Sequence, residues 1–261
     1  MNPLILVKRL IFVPTCASCK ERLSPFPSKK LQTHGKVCLC EKCYNSWHEE
    51  RAKLCRRCAL PAHNCKCVPK PLKTECASIA SLCFYEPEGH GTQNKMIYSL
   101  KSVRSTELVY YLAFELYPHI LSEIESRNIP RESLIFTWIP RRSSSVAKYG
   151  FDQGELLAKA AAKIFGAKAL PLFLRVGGKE QKTLTPDERT ENLKSSVILN
   201  QTLKGFPIKE TQDDIELILK GKNIVIIDDI ITTGASMRHG IDLLKQHFDG
   251  QIICASVAKV Q

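Results

Sequence analysis

Two textures of apolar and polar positions divide this chain. Between residues 14 and 67 there is little aliphatic periodicity, and turn-forming residues separate pairs of cysteines. After residue 73 the pattern resolves into regular elements. Residues 79–85 form a continuous apolar run that reads as a buried strand, residues 107–126 read as a helix, and residues 133–139 as a second strand. A helix over 153–165 would gather Leu156, Leu157, Ala160, Ala161 and Ile164 on one face, with Asp152 at its N-cap and Glu155 at capping-box spacing. Residues 169–174 predict another strand. The clearest unit comes last: a strand over 223–227, a turn over 228–234, a helix over 235–247 and a strand over 251–257. Strands alternating with helices predict an α/β fold with a mainly parallel sheet and a ligand site at the carboxyl ends of its strands.

The stretches between these elements complete the organisation. Residues 68–73, with prolines at 69 and 71, read as a semi-rigid linker, so the expected division is a lead-in and cysteine-rich module over 1–67, the linker, and an α/β domain over 74–261. Gly177-Gly178 opens a polar stretch reaching Pro186 that has the character of a lid, and a short helix follows it through Lys194. Lys8-Arg9 interrupts the apolar start and no small-residue cleavage site follows it, which argues against a signal peptide. No uncharged apolar run reaches the roughly 18 residues that a bilayer span requires. The cytoplasm is the expected location.

Charge changes the picture at one end. The formal net charge is +12, yet residues 1–75 hold 15 Lys+Arg against 5 Asp+Glu, which leaves only +2 for the remainder. That module also contains Phe12, Phe26, Tyr44 and Trp47 among Lys20, Arg22, Lys29, Lys30, Lys42, Arg51 and Lys53. A basic field with aromatic rings suits single-stranded nucleic acid: phosphates meet the cations, bases stack on the rings, and salt weakens the complex. A solvated basic surface with the aromatics in the core is the alternative.

Eight of the twelve cysteines have metal-ligand spacing. Cys16-x2-Cys19 and Cys40-x2-Cys43 form one quartet; Cys55-x2-Cys58 with Cys65-x-Cys67 forms a second. Four thiolates fill the tetrahedral shell of Zn²⁺, so two structural zinc sites are expected. Cys38 competes with Cys40 as a ligand, and interleaved ligation would use the same eight residues as sequential ligation. Cys83 and Cys254 fall in apolar strand-like runs, where cysteine packs as a small core residue.

The run Val225-Ile226-Ile227-Asp228-Asp229-Ile230-Ile231-Thr232-Thr233-Gly234-Ala235-Ser236 carries the second candidate chemistry. Backbone N–H groups of Thr232, Thr233, Gly234, Ala235 and Ser236 at a helix start suit a phosphate monoester, and Gly234 allows close backbone approach. Asp228 and Asp229 would repel a phosphate alone, so they are expected to face sugar hydroxyls or a bound Mg²⁺. Phosphate and polyol together describe a ribose 5-phosphate.

This run resembles the phosphoribosyltransferase signature. Together with the cysteine framework, Gly150-Phe151-Asp152-Gln153-Gly154-Glu155-Leu156-Leu157-Ala158, and Gln181-Lys182-Thr183-Leu184 with Glu188-Arg189 and Asn192, the chain resembles the ComF family over nearly its whole length. Tyr149, Asp152 and Ser236 depart from the family's usual Arg, Asn and Thr. The resemblance implies a double zinc ribbon ahead of a type I phosphoribosyltransferase-like domain. It further implies binding of phosphoribosyl pyrophosphate with Mg²⁺, a role in natural transformation with incoming single-stranded DNA, and DNA-uptake or helicase proteins as partners. In that fold a pyrophosphate loop follows the strand before Ile139-Pro140, so Arg141 and Arg142, with Lys182 from the polar stretch, are candidates for pyrophosphate contact. No acceptor-specific base stands out. A phosphoribosyltransferase with an unidentified acceptor and a ligand-binding protein without turnover therefore both remain open.

Overall fold

The computed structural model describes residues 13–24, 29–31, 38–73, 79–176, 196–200, 203 and 215–261. Its strands are β1 (Ile79–Phe84), β2 (Leu134–Trp138), β3 (Lys168–Ala169), β4 (Phe173–Arg175), β5 (Val197–Leu199), β6 (Asn223–Ile231) and β7 (Ile252–Lys259). Its α-helices are α1 (Glu41–Ala52), α2 (Thr92–Ser102), α3 (Thr106–Ser126), α4 (Ser143–Tyr149), α5 (Gln153–Phe165), α6 (Ile215–Leu219) and α7 (Ala235–Leu244). Five strands form one parallel sheet in the order β1-β7-β6-β2-β3, which puts β6 at its centre. β4 and β5 pair antiparallel as a separate ribbon.

The apolar run in β6 follows from covering both faces of the sheet. Val225 and Ile227 belong to a core shared with α2, α3 and α5, whereas Ile224 and Ile226 pack with Met237 and Ile241 of α7. Successive side chains thus enter opposite layers, and the strand needs apolar residues at every position. α5 spans the predicted residues. The Asp152 Oδ1 caps it by accepting from the Gly154 and Glu155 amides at 2.8 and 3.3 Å, and Gly166 closes it at φ 69°.

Besides shifts of one or two residues at strand ends, three boundaries differ from the sequence reading. β6 continues through Asp228 and Asp229 to Ile231, where a turn had been expected, because β7 is long enough to pair with it as far as Ile231↔Lys259. The strand expected over 169–174 is broken at Pro171, which has no N–H for a ladder: Lys168–Ala169 joins the main sheet, and Phe173–Arg175 turns away to pair with β5. The last helix ends at Leu244, not at residue 247. Helices α1, α2, α4 and α6 had no counterpart in the sequence reading: α1 and α4 are largely polar, α6 is a single short turn, and the buried face of α2 is partly polar, with Thr92 and Gln93 beside Met96, Ile97 and Leu100.

The cysteine-rich segment packs directly on the α/β layers. Trp47 of α1 is fully buried, in one apolar cluster with Cys16, Leu39 and Cys43 on its own side and Met96, Leu100, Leu108 and Leu112 of α2 and α3 on the other. Arg51 pairs with Glu115 of α3, and the Thr92 hydroxyl donates to the Ser46 hydroxyl at 2.9 Å. Residues 68–73 are equally engaged. Val68 and Leu72 are buried against the α7 side of the sheet. No helix among the described residues is long and apolar enough to cross a membrane.

Candidate functional site

The eight expected cysteine ligands come together as two groups, Cys16, Cys19, Cys40 and Cys43, and Cys55, Cys58, Cys65 and Cys67, the sulfurs of each lying within 4.8 Å of one another. Zn–S bonds of about 2.3 Å in a tetrahedron require sulfurs roughly 3.8 Å apart, and Cys19 Sγ and Cys40 Sγ are at 3.7 Å. Both groups are compatible with structural zinc. The two groups are those of the sequential pairing, not the interleaved one. Cys38 lies outside both; burial, with the nearby Cys16 adding to it, pushes its thiol well above the ordinary range, as suits a neutral core residue.

The first two ligands of each group share one local geometry. Lys20 N donates to Cys16 O at 3.0 Å and Cys16 N to Glu21 O at 2.7 Å; Ala59 N donates to Cys55 O at 2.9 Å and Cys55 N to Leu60 O at 2.8 Å. Lys20 and Ala59, each directly after the second cysteine, have φ of 66° and 51°. This left-handed step turns the chain so that both sulfurs of a pair point to one centre. His48 and His63 are in neither group.

The second candidate site lies at the carboxyl ends of β2 and β6. Thr232 and Thr233 are exposed, and Gly234, at φ 76°, is the N-cap of α7, leaving the first-turn amides of that helix unpaired within it. Gly234 is needed for a second reason. A Cβ there would sit 2.8 Å from Leu72 Cδ1 and 3.3 Å from Pro69 Cβ, because residues 69–72 lie against the loop. The Arg238 guanidinium donates to the Pro71 carbonyl at 3.2 Å and fixes that contact.

Asp228 and Asp229 leave the strand on opposite faces. Asp229 is buried, with Lys101 Nζ of α2 at 3.1 Å and Gln153 Nε2 of α5 donating to it at 3.3 Å. The Asp228 Oδ1 accepts the Asp229 amide at 2.8 Å, and the Asp229 Oδ1 accepts the Ile230 amide at 2.8 Å. Burial, and then the adjacent Asp229 carboxylate, hold the Asp228 carboxyl well above the ordinary carboxylate range.

Beyond β2, the Arg141 amide donates to Asp152 Oδ2 at 2.6 Å, its guanidinium donates to the Lys101 carbonyl at 2.9 Å, and it stacks over the Tyr149 ring at 4.6 Å. Arg142 is the N-cap of α4. Arg175 donates to the Pro140 carbonyl at 3.0 Å, with its proton affinity lowered by burial and by Arg142. Asp152 therefore has two roles, capping α5 and anchoring the segment after β2. Its carboxyl is raised by burial and lowered in part by the three amides it accepts, with a net upward shift. Lys182, together with the rest of the polar stretch after Gly177, lies outside the described residues.

Sequence reasoning did not find Lys101, Arg175, or the contact of residues 69–72 with Gly234. Lys101 is 128 positions from Asp229, and only the packing of α2 against the sheet end makes them neighbours. Gln153 had been noted only as part of a motif.

Comparison with known proteins gives a consistent picture. Residues 152–260 match the phosphoribosyl transferase domain family. Two relatives named DNA utilization protein YhgH, from Salmonella typhi and Salmonella typhimurium, are each 27% identical to this chain over 213 residues, covering 79% of this chain and 83% of theirs.

Proposed function

For this chain, a ComF-family protein with a phosphoribosyl transferase domain behind two cysteine groups that fit a double zinc ribbon, we propose that it binds phosphoribosyl pyrophosphate with Mg²⁺ and acts in handling incoming single-stranded DNA during natural transformation. The observation that carries the ligand half is the juxtaposition, at one end of β6, of the acidic pair Asp228–Asp229 and the helix-start amides of the loop 232–236, of which Ala235 N donates to Thr233 Oγ1 at 3.4 Å. The loop amides and the hydroxyls of Thr232, Thr233 and Ser236 would receive the 5-phosphate, favoured there by the positive end of α7. Asp228 and Asp229 would accept the ribose hydroxyls, with Mg²⁺ neutralising both carboxylates and pyrophosphate. Arg141 and Arg142 stand at the carboxyl end of β2, where they and Lys101 supply positive charge for the pyrophosphate. Zinc held by the two cysteine groups would be structural, since four thiolates leave no open position.

The DNA half rests on the concentration of positive charge in residues 1–75 and on the likeness to proteins named for DNA utilization. The match to a transferase domain favours a second reading, a phosphoribosyltransferase with an unidentified acceptor. Attack at ribose C1 with loss of pyrophosphate needs mainly positioning and charge stabilisation, which this constellation offers. Calorimetric titration with phosphoribosyl pyrophosphate and Mg²⁺ tests the first reading: binding is expected, and it should be abolished in Asp228→Asn/Asp229→Asn, since losing two charge-assisted hydrogen bonds costs about 3–6 kcal/mol. Unchanged affinity in that double variant would leave only an anion-binding loop. Pyrophosphate release over a panel of acceptors separates a transferase from a binding protein.

A further inference from the structure

A cavity of about 480 Å³ lies between the second cysteine group and the phosphate loop. The cysteine-rich segment contributes Arg57, the strap after it Lys70 and Lys73, and the loop Thr232, all four exposed, while half-buried Val260, directly after β7, and the edge of the buried Phe84 at the end of β1 form an apolar wall. No carboxylate lines it; Cys55, Cys65 and Cys67 do, so the zinc-loaded second group, four thiolates on one Zn²⁺, sets a formal −2 against the +3 of Arg57, Lys70 and Lys73. Three cations around an apolar wall make up the pair of features that a nucleotide requires, one for its phosphate and one for its base. The volume is that of an ordinary small-ligand site. Asp228 and Asp229 of the first site, and the Asp229 partners Lys101 and Gln153, are not among its lining residues, so this is a second site beside the first, with Thr232 at the boundary.

We propose that this cavity is a nucleotide site, in which Arg57, Lys70 and Lys73 neutralise phosphate, Thr232 donates to it, and a base lies against Phe84 and Val260. The occupant is one nucleotide of a single DNA strand, a choice that rests on the DNA-handling reading above. Most of the chain's excess positive charge lies in the segment that supplies Arg57, Lys70 and Lys73, and a single strand, unlike a duplex, can present a lone base to a closed wall. The cavity thereby localises a DNA contact that net charge alone would spread over the whole cysteine-rich module.

The test uses the full-length, zinc-loaded protein with Arg57→Gln/Lys70→Gln/Lys73→Gln, and with Arg57→Gln alone as the milder variant. Binding of a 5′-phosphorylated oligothymidylate is followed by fluorescence anisotropy across a salt series, and thymidine 5′-monophosphate is titrated in parallel. Zinc content and affinity for phosphoribosyl pyrophosphate report that the fold and the neighbouring site are intact. Three lost phosphate contacts should make the slope of log affinity against log salt less negative by about 2 units, and the single variant by about 0.7. Affinity at low salt should fall at least about tenfold in the triple variant. If the triple variant binds the oligonucleotide with wild-type affinity and slope, the cavity proposal is wrong while the DNA reading stands. If the wild type binds the monophosphate through these cations but not the oligonucleotide, the site takes free nucleotides and DNA is the wrong occupant. Absence of both interactions in the wild type overturns the cavity and the DNA reading together.

Discussion

Gly234 bears two independent constraints: a backbone at φ 76° and the close approach of Leu72. A side chain in left-handed conformation costs roughly 1–2 kcal/mol before any clash is counted. Gly234→Ala is therefore expected to lower stability by at least that amount, measured by denaturant unfolding, and to weaken phosphoribosyl pyrophosphate binding by displacing residues 69–72 or the loop. Asp228 presents the opposite case, a residue whose ionised form disfavours the ligand-free fold. Its folded-state carboxyl titrates well above the unfolded value, so the native state binds the proton more tightly. Stability from this group is present at low pH and declines as pH rises from the ordinary aspartate range through the raised folded value. Asp228→Asn should flatten that decline and raise the melting temperature of the ligand-free protein at neutral pH while removing ligand affinity. A variant less stable than wild type at pH 7 would show that the carboxylate has a compensating partner.

At the scale of elements, α1 is the connection between the cysteine groups and the sheet layers. Trp47 is its fully buried anchor, and Trp47→Ala in such a core is expected to cost about 3–5 kcal/mol, read from chemical unfolding with zinc bound. A milder loss would mean that the helix repacks over the gap. The same junction contains a pH-sensitive contact: His63 from the second cysteine segment stacks on His119 of α3, ring centroids 4.7 Å apart, with the Arg51 guanidinium next to His119. Burial first, and then His63 and Arg51, push His119 down to about 4, and burial and Arg51 lower His63 as well. Both rings stay neutral in the folded protein while the unfolded chain takes up protons below about pH 6.5. The protein should thus lose stability as pH falls from about 6.5 towards 4. His119→Gln should shrink that loss, which melting temperatures at pH 7 and pH 5 would measure.

The molecule as a whole is joined across the expected boundary at residues 68–73. Trp47 packs on Met96 and Leu108, Phe84 on the second cysteine group, and the fully buried Lys259 of β7 donates to the Cys65 carbonyl at 2.7 Å. Two zinc ions per chain are expected by elemental analysis, and structural zinc contributes on the order of 10 kcal/mol to folding of such modules. Because the apolar surfaces of α2 and α3 are covered by the cysteine-rich segment, chelation should destabilise the sheet layers as well, giving one broad loss of protease resistance. Retention of a fully stable 74–261 fragment after chelation would show that the two layers close on themselves without that cover.

The sequence by itself determined what depends on neighbours along the chain. Cysteine spacing specified the close pairs Cys16–Cys19 and Cys55–Cys58, because a CxxC turn followed by a left-handed residue brings two sulfurs to one centre, but it left open which pairs join into a quartet. The β-branched run ending in Asp228-Asp229 and followed by Thr232-Thr233-Gly234 likewise specified a buried strand, a polar strand end and a helix start. Tertiary structure alone decided the long-range pairings. β6 extends through its aspartates because β7 is there to pair with it, Cys40 and not Cys38 joins the first cysteine group because Cys38 is buried in the core, and Lys101 reaches Asp229 only after α2 packs on the sheet. The strap at 69–72 is the clearest instance. Its prolines mark it as a semi-rigid linker in sequence, but its 3-10 turn over Lys70–Leu72 and its position against Gly234 follow from burying Leu72, an interaction between residues more than 160 positions apart that no local pattern records.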